Sequence, residues 1–143
     1  MPITSVYTLI TTDKVRQCRD FYVEHFGFSV EFASTVFVQL QTATEDGGLM
    51  TLAFMPPNEL FGGDYREQFN GRGAYITIEV TDARAEFERL RSAGVEIIAD
   101  LEDSPWGQRH FLLRDPHGTV VDVSEPTEPA AGWYDPYQAE DAG

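Results

Sequence analysis

The amino-acid sequence predicts an α+β fold built from two consecutive β-α-β-β-β modules. The hydrophobic pattern runs strand, helix, strand, strand, strand, and the same order returns in the second half of the chain. Landmarks recur at half-chain spacing: Thr81–Asp82 follows Thr12–Asp13 by 69 residues, and Gly118 follows Gly48 by 70 residues. A repeat of this kind favours two similar modules over a single irregular domain.

The first module is predicted to begin with a strand at Ile3–Thr11, where apolar and polar residues alternate. Helical spacing of Val15, Cys18 and Tyr22 then predicts a helix that Thr12 or Asp13 caps and Gly27 ends. Three further strands are predicted at Ser29–Ala33, Thr35–Gln41 and Leu49–Met55.

The second module repeats this order from "AYITIEV", an alternating strand at residues 74–80. The segment "TDARAEFERLRSAG" predicts a helix that Asp82 caps and Gly94 ends. Three strands are predicted to follow at Glu96–Asp100, Arg109–Arg114 and Thr119–Ser124.

The predicted organisation has four parts: a first module at 1–55, a linker loop at 56–73, a second module at 74–125 and an acidic aromatic tail at 126–143. Pro, Gly and Asn dominate the linker. The tail has Pro and acidic residues that argue against regular structure, and its Trp133, Tyr134 and Tyr137 suggest docking on this chain or on a partner.

The composition excludes several classes of partner. Twenty-four acidic and 10 basic residues give a formal charge of −14, which repels phosphate backbones and anionic lipid surfaces. We therefore expect no nucleic-acid partner and no membrane partner, and a field that concentrates cations. The single cysteine excludes an intrachain disulfide. The single cysteine and the absence of a signal-peptide pattern at the N-terminus together predict a cytoplasmic protein.

Two segments, "DKVRQCRDFYVEHFGF" and "SPWGQRHFLLRDPHGTVVDV", make the chain resemble the vicinal oxygen chelate superfamily. That superfamily includes glyoxalase I, extradiol dioxygenases and bleomycin resistance proteins, and the second segment looks most like the metal-free bleomycin resistance type. The resemblance covers roughly residues 3–125 and implies curled mixed sheets around a cleft. It also implies a homodimer with clefts between modules and with strand exchange as an option.

The resemblance further implies four metal-ligand positions, on the first and last strand of each module. They fall on Val6, Leu52, Tyr75 and Asp122, with Thr51 replacing Leu52 if the register slips by one residue. Since a catalytic divalent ion needs about three imidazole, carboxylate or thiolate ligands, this set predicts no metal and no cofactor.

The three histidines do not supply the missing ligands. His25 is interpreted as a surface or capping residue, His110 as a strand residue facing either side, and His117 as a solvated residue of the turn "DPHG". The sequence order shows no HExxH motif, no Gly-rich phosphate loop and no Ser-His-Asp arrangement.

Without a metal, the cleft is predicted to be a binding groove for a planar or cationic drug-like small molecule. Its predicted ligand-binding residues are Val6, Leu52, Tyr75, Trp106, Arg109 and Asp122, with Trp106 as a stacking surface. The structural alternatives are that Arg109 pairs with Asp103 or another carboxylate at the mouth of the cleft, and that Asp122 pairs with Arg109 or accepts a hydrogen bond from Tyr75.

The expected function is sequestration, as in antibiotic resistance, with no catalytic residue. One alternative is a glyoxalase-like lyase, isomerase or dioxygenase that binds a metal through other residues or uses Asp122 and Tyr75 as an acid/base pair. Another is a module whose tail, around Trp133–Tyr137, contacts a metabolite or protein partner.

Overall fold

The computed structural model describes residues 1–60 and 63–138, and it confirms the α+β class with two mixed four-stranded sheets. Residues 61 and 62 of the predicted linker and residues 139–143 of the predicted tail lie outside the described residues. Neither α-helix of the described residues has the length and apolar character that crossing a bilayer would need.

The first sheet has the strand order β1-β4-β3-β2, with β1 and β4 parallel and the other pairs antiparallel. Its elements are β1 (Thr8–Thr11), α1 (Val15–Phe26), β2 (Ser29–Ala33), β3 (Val38–Ala43) and β4 (Leu49–Met55).

The second sheet repeats this topology as β5-β8-β7-β6, again with only the first pair parallel. Its elements are β5 (Tyr75–Glu79), α2 (Ala83–Ser92), β6 (Ile97–Ser104), β7 (Gln108–Arg114) and β8 (Val120–Pro126). Two short 3-10 helices, Gly63–Arg66 and Asp135–Tyr137, lie outside this repeated pattern.

The largest departures from the predicted bounds are at β1 and β6. Residues 3–7 precede the sheet, so β1 is shorter than predicted. Strand β6 continues four residues beyond Asp100, because "SPWG" forms a tight turn in which Gly107 N–H donates to Ser104 O at 3.1 Å. The turn joins β6 and β7 into a hairpin that the sequence pattern had divided by a loop.

The helix ends follow the predicted chemistry in three of four places. Gly27 takes the left-handed conformation (φ 70°) that ends α1, and Gly94 does so (φ 82°) after α2. Asp82 caps α2 by accepting from Ala85 N–H at 3.0 Å. Helix α1 instead begins after Lys14 without a side-chain cap, and the Thr12 hydroxyl accepts from Lys14 N–H.

Two compact units divide the chain: residues 1–72 with 115–118, and residues 73–114 with 119–143. In the first unit, the Tyr22 ring of α1 stacks on Phe54 of β4 with centroids 5.7 Å apart. The Tyr22 hydroxyl donates to Asp115 Oδ2 at 2.7 Å, and both residues are buried. Burial, reinforced by the Asp115 carboxylate, raises the pKa of Tyr22 far above its ordinary value.

His117 is not the solvated turn residue that the sequence suggested. Its Nδ1 lies 2.7 Å from Thr12 Oγ1, its Nε2 lies 2.6 Å from Phe69 O, and its ring stacks on that of Phe69. A carbonyl oxygen only accepts, so Nε2 carries the proton and Nδ1 accepts from the Thr12 hydroxyl. His117 therefore holds the segment around Phe69, a contact that spans 48 residues and that a local turn pattern cannot reveal.

Candidate functional site

The second sheet has one face against α2 and one face that α2 leaves uncovered. Phe87 of α2 meets Phe111 of β7 edge to face at 5.2 Å, and Phe111 pairs with Val123 of β8. Because side chains alternate along a strand, the neighbouring positions project from the opposite face. We call that side the helix-free face; its residues are Tyr75, Thr77, Glu79, Ala99, Glu102, Ser104, Gln108, His110, Leu112, Arg114, Val120, Asp122, Ser124 and Pro126.

A chain of hydrogen bonds crosses three strands of the helix-free face. His110 Nδ1 lies 2.9 Å from Asp122 Oδ1, and His110 Nε2 lies 2.9 Å from Ser104 Oγ. Ser104 and Asp122 are buried and His110 is mostly so. A carboxylate only accepts, so Nδ1 carries the proton, and in the neutral imidazole Nε2 accepts from the Ser104 hydroxyl. We call these three residues the relay.

A second polar pair fixes the indole of Trp106 beside the relay. Trp106 Nε1–H donates to Gln108 Oε1 at 2.6 Å, and Gln108 Nε2 donates to Ser124 Oγ at 3.0 Å. The Trp106 ring also meets the His110 ring edge to face, with centroids 6.0 Å apart. The indole thus lies over the helix-free face, and its N–H is satisfied within the protein.

The tail docks on the β6–β7 turn, as one of the two predicted options had it. Backbone bonds join Thr127 N to Gly107 O (2.9 Å) and Ala130 N to Pro105 O (2.8 Å). The Tyr134 hydroxyl donates to Trp106 O at 2.8 Å. An aromatic cluster results, formed by Trp106, Trp133, Tyr134 and Tyr137, with Trp133 centroids 5.9 Å from Trp106 and 5.2 Å from Tyr137.

Three of the predicted ligand-binding residues lie on or over the helix-free face: Tyr75, Trp106 and Asp122. Tyr75 lies at the Val120 end of the sheet, whereas Trp106 lies at the opposite end, beside Gln108. Tyr75 is 60% exposed and Trp106 is 40% exposed, whereas Asp122 is buried. Tyr75 pairs in register with Val120, and the neighbour of Asp122 on β5 is Thr77. The hydrogen-bond partner of Asp122 is His110, and not Arg109 or Tyr75 as the two alternatives from the sequence had it.

Arg109 projects from the other face, toward α2. Its side chain donates to Asp103 Oδ1 at 2.7 Å and lies 3.9 Å from Glu125, whose own carboxylate accepts from Ala83 N–H at the start of α2. The hydrogen bond from Arg109 lowers the pKa of Asp103, and the reverse interaction raises that of Arg109. Arg109 thus takes the structural role that the sequence analysis had set beside the ligand-binding role.

In the first unit, Val6 and Leu52 do not lie on a helix-free face of the sheet. Val6 precedes β1 and is 82% exposed. Leu52 pairs with Thr8 and Leu40, on the side of the sheet where Phe54 stacks against α1. A one-residue shift in register turns every side chain to the other face, and the alternative residue, Thr51, has the opposite orientation to Leu52.

Strand pairing identifies the first-unit counterparts of the second-unit site. The helix-side pair Ile10–Phe54 corresponds to Ile78–Val123, so Ala53 takes the place of Asp122. By the same register Tyr7 takes the place of Tyr75. The four positions equivalent to metal ligands are thus Tyr7, Ala53, Tyr75 and Asp122. They include one carboxylate, that of Asp122, which already accepts a hydrogen bond from His110. This donor set does not fit a catalytic metal.

The described residues 1–60 and 63–138 contain no group of three or more His, Cys, Asp and Glu side chains that could hold a metal ion. The relay was missed in the sequence, and the expectation that no Ser-His-Asp arrangement is present was wrong, because Ser104, His110 and Asp122 follow one another in that order and are joined by hydrogen bonds. Ser104 and His110 are diagonal neighbours on β6 and β7 because "SPWG" closes a tight hairpin, and recognising that turn would have brought them together.

Known proteins share this architecture at low sequence identity. An uncharacterized protein of Mycobacterium bovis is 27% identical over 122 residues, covering 82% of this chain and 80% of that protein. A glyoxalase/bleomycin resistance protein/dioxygenase from Nocardioides has a TM-score of 0.73 at 20% identity, over 90% of this chain and 86% of that one.

Similar to this chain, too, is TnmS3, an antibiotic binding protein from a Streptomyces species. Its structure gives a TM-score of 0.64 at 23% identity and covers 89% of this chain and 99% of TnmS3. At such identities, the structural likenesses establish the fold. A family model matches residues 4–123, most of the sequence, and the chain therefore belongs to the Glyoxalase/Bleomycin resistance protein/Dioxygenase superfamily.

Proposed function

We propose that this chain is a metal-independent, cytoplasmic binding protein that sequesters a planar, cationic small molecule on the helix-free face. The observation that carries the proposal is the aromatic cluster beside the buried His110–Asp122 pair, at the place where a metal enzyme of this fold would need ligands. Sequestration of this kind requires a complementary surface and no bond making.

The orientation of Trp106 supports stacking on a planar ligand. Its N–H is bound to Gln108, so the ring does not need a ligand acceptor and can present an apolar surface. Trp133 is half-buried beside it, whereas Tyr137 and Tyr134 are exposed. Exposed aromatic side chains grouped in this way favour binding of an aromatic molecule over simple packing.

The charge of the helix-free face supports a cationic ligand. Three carboxylates lie on this face, the buried one of Asp122 and the exposed ones of Glu79 and Glu102, against one exposed guanidinium, that of Arg114. With a net charge of −14, the protein attracts cations to this face, and an indole ring adds cation–π attraction.

The comparison with known structures supports a small-molecule binding function. TnmS3, which has this fold, is described as an antibiotic binding protein. We therefore extend the proposal to drug-like ligands and to a role in antibiotic resistance, with no catalytic residue in the sequestration itself.

We further propose that the protein is a homodimer. Strand β2 is at the edge of the first sheet, and all five of its residues are exposed, including Val30 and Phe32. An apolar sheet edge favours pairing with a second copy of the chain. Sedimentation velocity should show a dimer that Phe32→Asp dissociates and that the loop variant Leu60→Asp leaves intact; a monomeric wild-type protein would contradict this proposal.

Ligand binding can be followed without a label. The sequence has two tryptophans, Trp106 and Trp133, and both belong to the aromatic cluster. We expect proflavine, a planar aromatic cation, to quench their fluorescence saturably and to the same extent with or without EDTA. At about a hundred times its dissociation constant, it should stabilise the fold by about 2.7 kcal/mol. Quenching that disappears with EDTA would refute metal independence.

A further inference from the structure

The relay places a hydroxyl, an imidazole and a carboxylate in the order that nucleophilic catalysis uses. Ser104 Oγ donates to His110 Nε2, and His110 Nδ1–H donates to Asp122, both at 2.9 Å. The base is thus held in one tautomer by the carboxylate and already bonded to the hydroxyl that it would deprotonate. Geometry of this kind, not sequence order, identifies such a triad.

The three residues are borne by adjacent strands, which fix their separation. Ser104 ends β6, His110 lies in β7 and Asp122 lies in β8. Backbone pairing joins Glu102 to His110 and Leu112 to Asp122, so the relay sits on a continuous ladder. A site on paired strands keeps its geometry better than a site on loops.

We propose that Ser104 is an acyl-accepting nucleophile that cleaves small acyl esters of aromatic alcohols. Ser104 Oγ attacks the ester carbonyl carbon while its proton passes to His110 Nε2. The tetrahedral adduct collapses, the C–O bond to the aromatic alcohol breaks, and the alcohol leaves with the proton from His110. Water then attacks the acyl-Ser104 ester with His110 as base, which releases the carboxylic acid and restores the hydroxyl.

The surroundings of Ser104 define the substrate class. The residue is 6% exposed, so the acyl group must be small, as in an acetate ester. The Trp106 ring lies 6.0 Å from the His110 ring, at a distance that suits an aromatic leaving group stacked on the indole. This inference goes beyond sequestration, and it shares with the proposed function the Trp106 stacking surface and the His110–Asp122 pair.

The test uses 4-nitrophenyl acetate with the full-length protein. We expect a burst of 4-nitrophenolate close to one equivalent, and one acetyl group that peptide mapping locates on Ser104. Ser104→Ala should abolish this adduct. His110→Gln and Asp122→Asn, which keep the hydroxyl, should slow its formation at least about a hundredfold.

Ser34 provides the matched control, since it is exposed and its hydroxyl donates to the Phe37 carbonyl in place of a histidine. It should stay unmodified, and Ser34→Ala should leave the burst unchanged. Acetylation that is absent from Ser104, or equally fast in folded His110→Gln, would overturn the proposal. Proflavine binding by Ser104→Ala reports separately on sequestration, so the two proposals can fail independently.

Discussion

The two units share one topology but differ on the side of the sheet that their helix leaves uncovered. Where the second unit has the His110–Asp122 pair, the pairing register of the first unit places Phe37 and Ala53. On the helix side, by contrast, both units have apolar pairs, such as Ile10 with Phe54. The repeat therefore preserves the apolar packing of each sheet against its helix, whereas the hydrogen-bonded His110–Asp122 pair lies on the helix-free face of the second sheet.

The difference follows from the free-energy cost of burying polar groups. Asp122 and Ser104 are buried, and each is compensated by a hydrogen bond to His110. Ala53 is also fully buried, but the residue in the place of His110 is a phenylalanine. A polar site on the first sheet would thus require several coordinated substitutions.

The largest expected effect comes from copying the carboxylate alone into the first unit. Ala53→Asp would bury an anion without the histidine that accompanies Asp122, and we expect unfolding free energy to fall by at least about 3 kcal/mol. Urea denaturation measures this loss, with Ala53→Ser as a control of similar volume and no charge. A near-neutral Ala53→Asp variant would mean that the two faces are not chemically different.

Removal of the carboxylate from the second unit should cost less. Asp122→Ala leaves His110 Nδ1–H without its acceptor, which should destabilise the protein by about 1–3 kcal/mol. Asp122→Asn retains an acceptor oxygen and should cost clearly less in the same urea titration. Equal losses for the two variants would contradict the hydrogen bond assigned to this pair.

His117 should matter locally more than globally. His117→Ala removes the bond to Phe69 O and the ring stacking, so we expect a loss of about 1–2 kcal/mol and faster proteolysis near Phe69. Limited proteolysis with mass mapping measures this change. His25→Ala, a variant at the end of α1, is the control, and a cleavage pattern that His117→Ala leaves unchanged would contradict the assigned role.

The smallest effect concerns the thiol in the core of the first unit. Burial, with the Asp115 carboxylate adding to it, raises the pKa of Cys18 from 9.0 to about 12. The native thiol should therefore not react with Ellman's reagent at pH 8, whereas the unfolded protein should react at once. Because folding raises the pKa of Cys18, the protonated thiol contributes to the free energy of unfolding. That contribution is fully present below pH 9 and is lost as the pH rises toward 12. Rapid native labelling would place Cys18 outside the core.

The repeated β-α-β-β-β order was predictable because each element has its own hydrophobic periodicity and its own capping or terminating residues, such as Gly27 after α1 and Asp82 before α2. Register was harder. The ligand positions were assigned to Val6 and Leu52, yet pairing aligns Tyr7 and Ala53 with the second-unit positions Tyr75 and Asp122. In a strand, a shift of one residue moves every side chain to the opposite face. The register is determined by pairing with the neighbouring strand, which the sequence pattern of one strand does not contain.

Contacts between distant residues were also beyond the sequence pattern. His117 and Thr12 are 105 residues apart, and His110 and Asp122 meet only when β7 and β8 pair. The Arg109–Asp103 ion pair had been predicted as one alternative, and it forms because both residues flank the "SPWG" turn. Local spacing could thus indicate a hairpin pair, whereas the relay depended on knowing where the hairpin closes.

The central claim is that the aromatic cluster on the second unit binds planar cations. Isothermal titration calorimetry should detect proflavine binding to the wild-type protein, with affinity at least about tenfold weaker in Trp106→Ala, since a cation–π contact contributes about 1–2 kcal/mol. Tyr7→Ala, an exposed aromatic site of the first unit, should match the wild type, and pyrenesulfonate, a planar anion, should not bind. Equal affinity in Trp106→Ala, or equal binding of the anion, would contradict the claim.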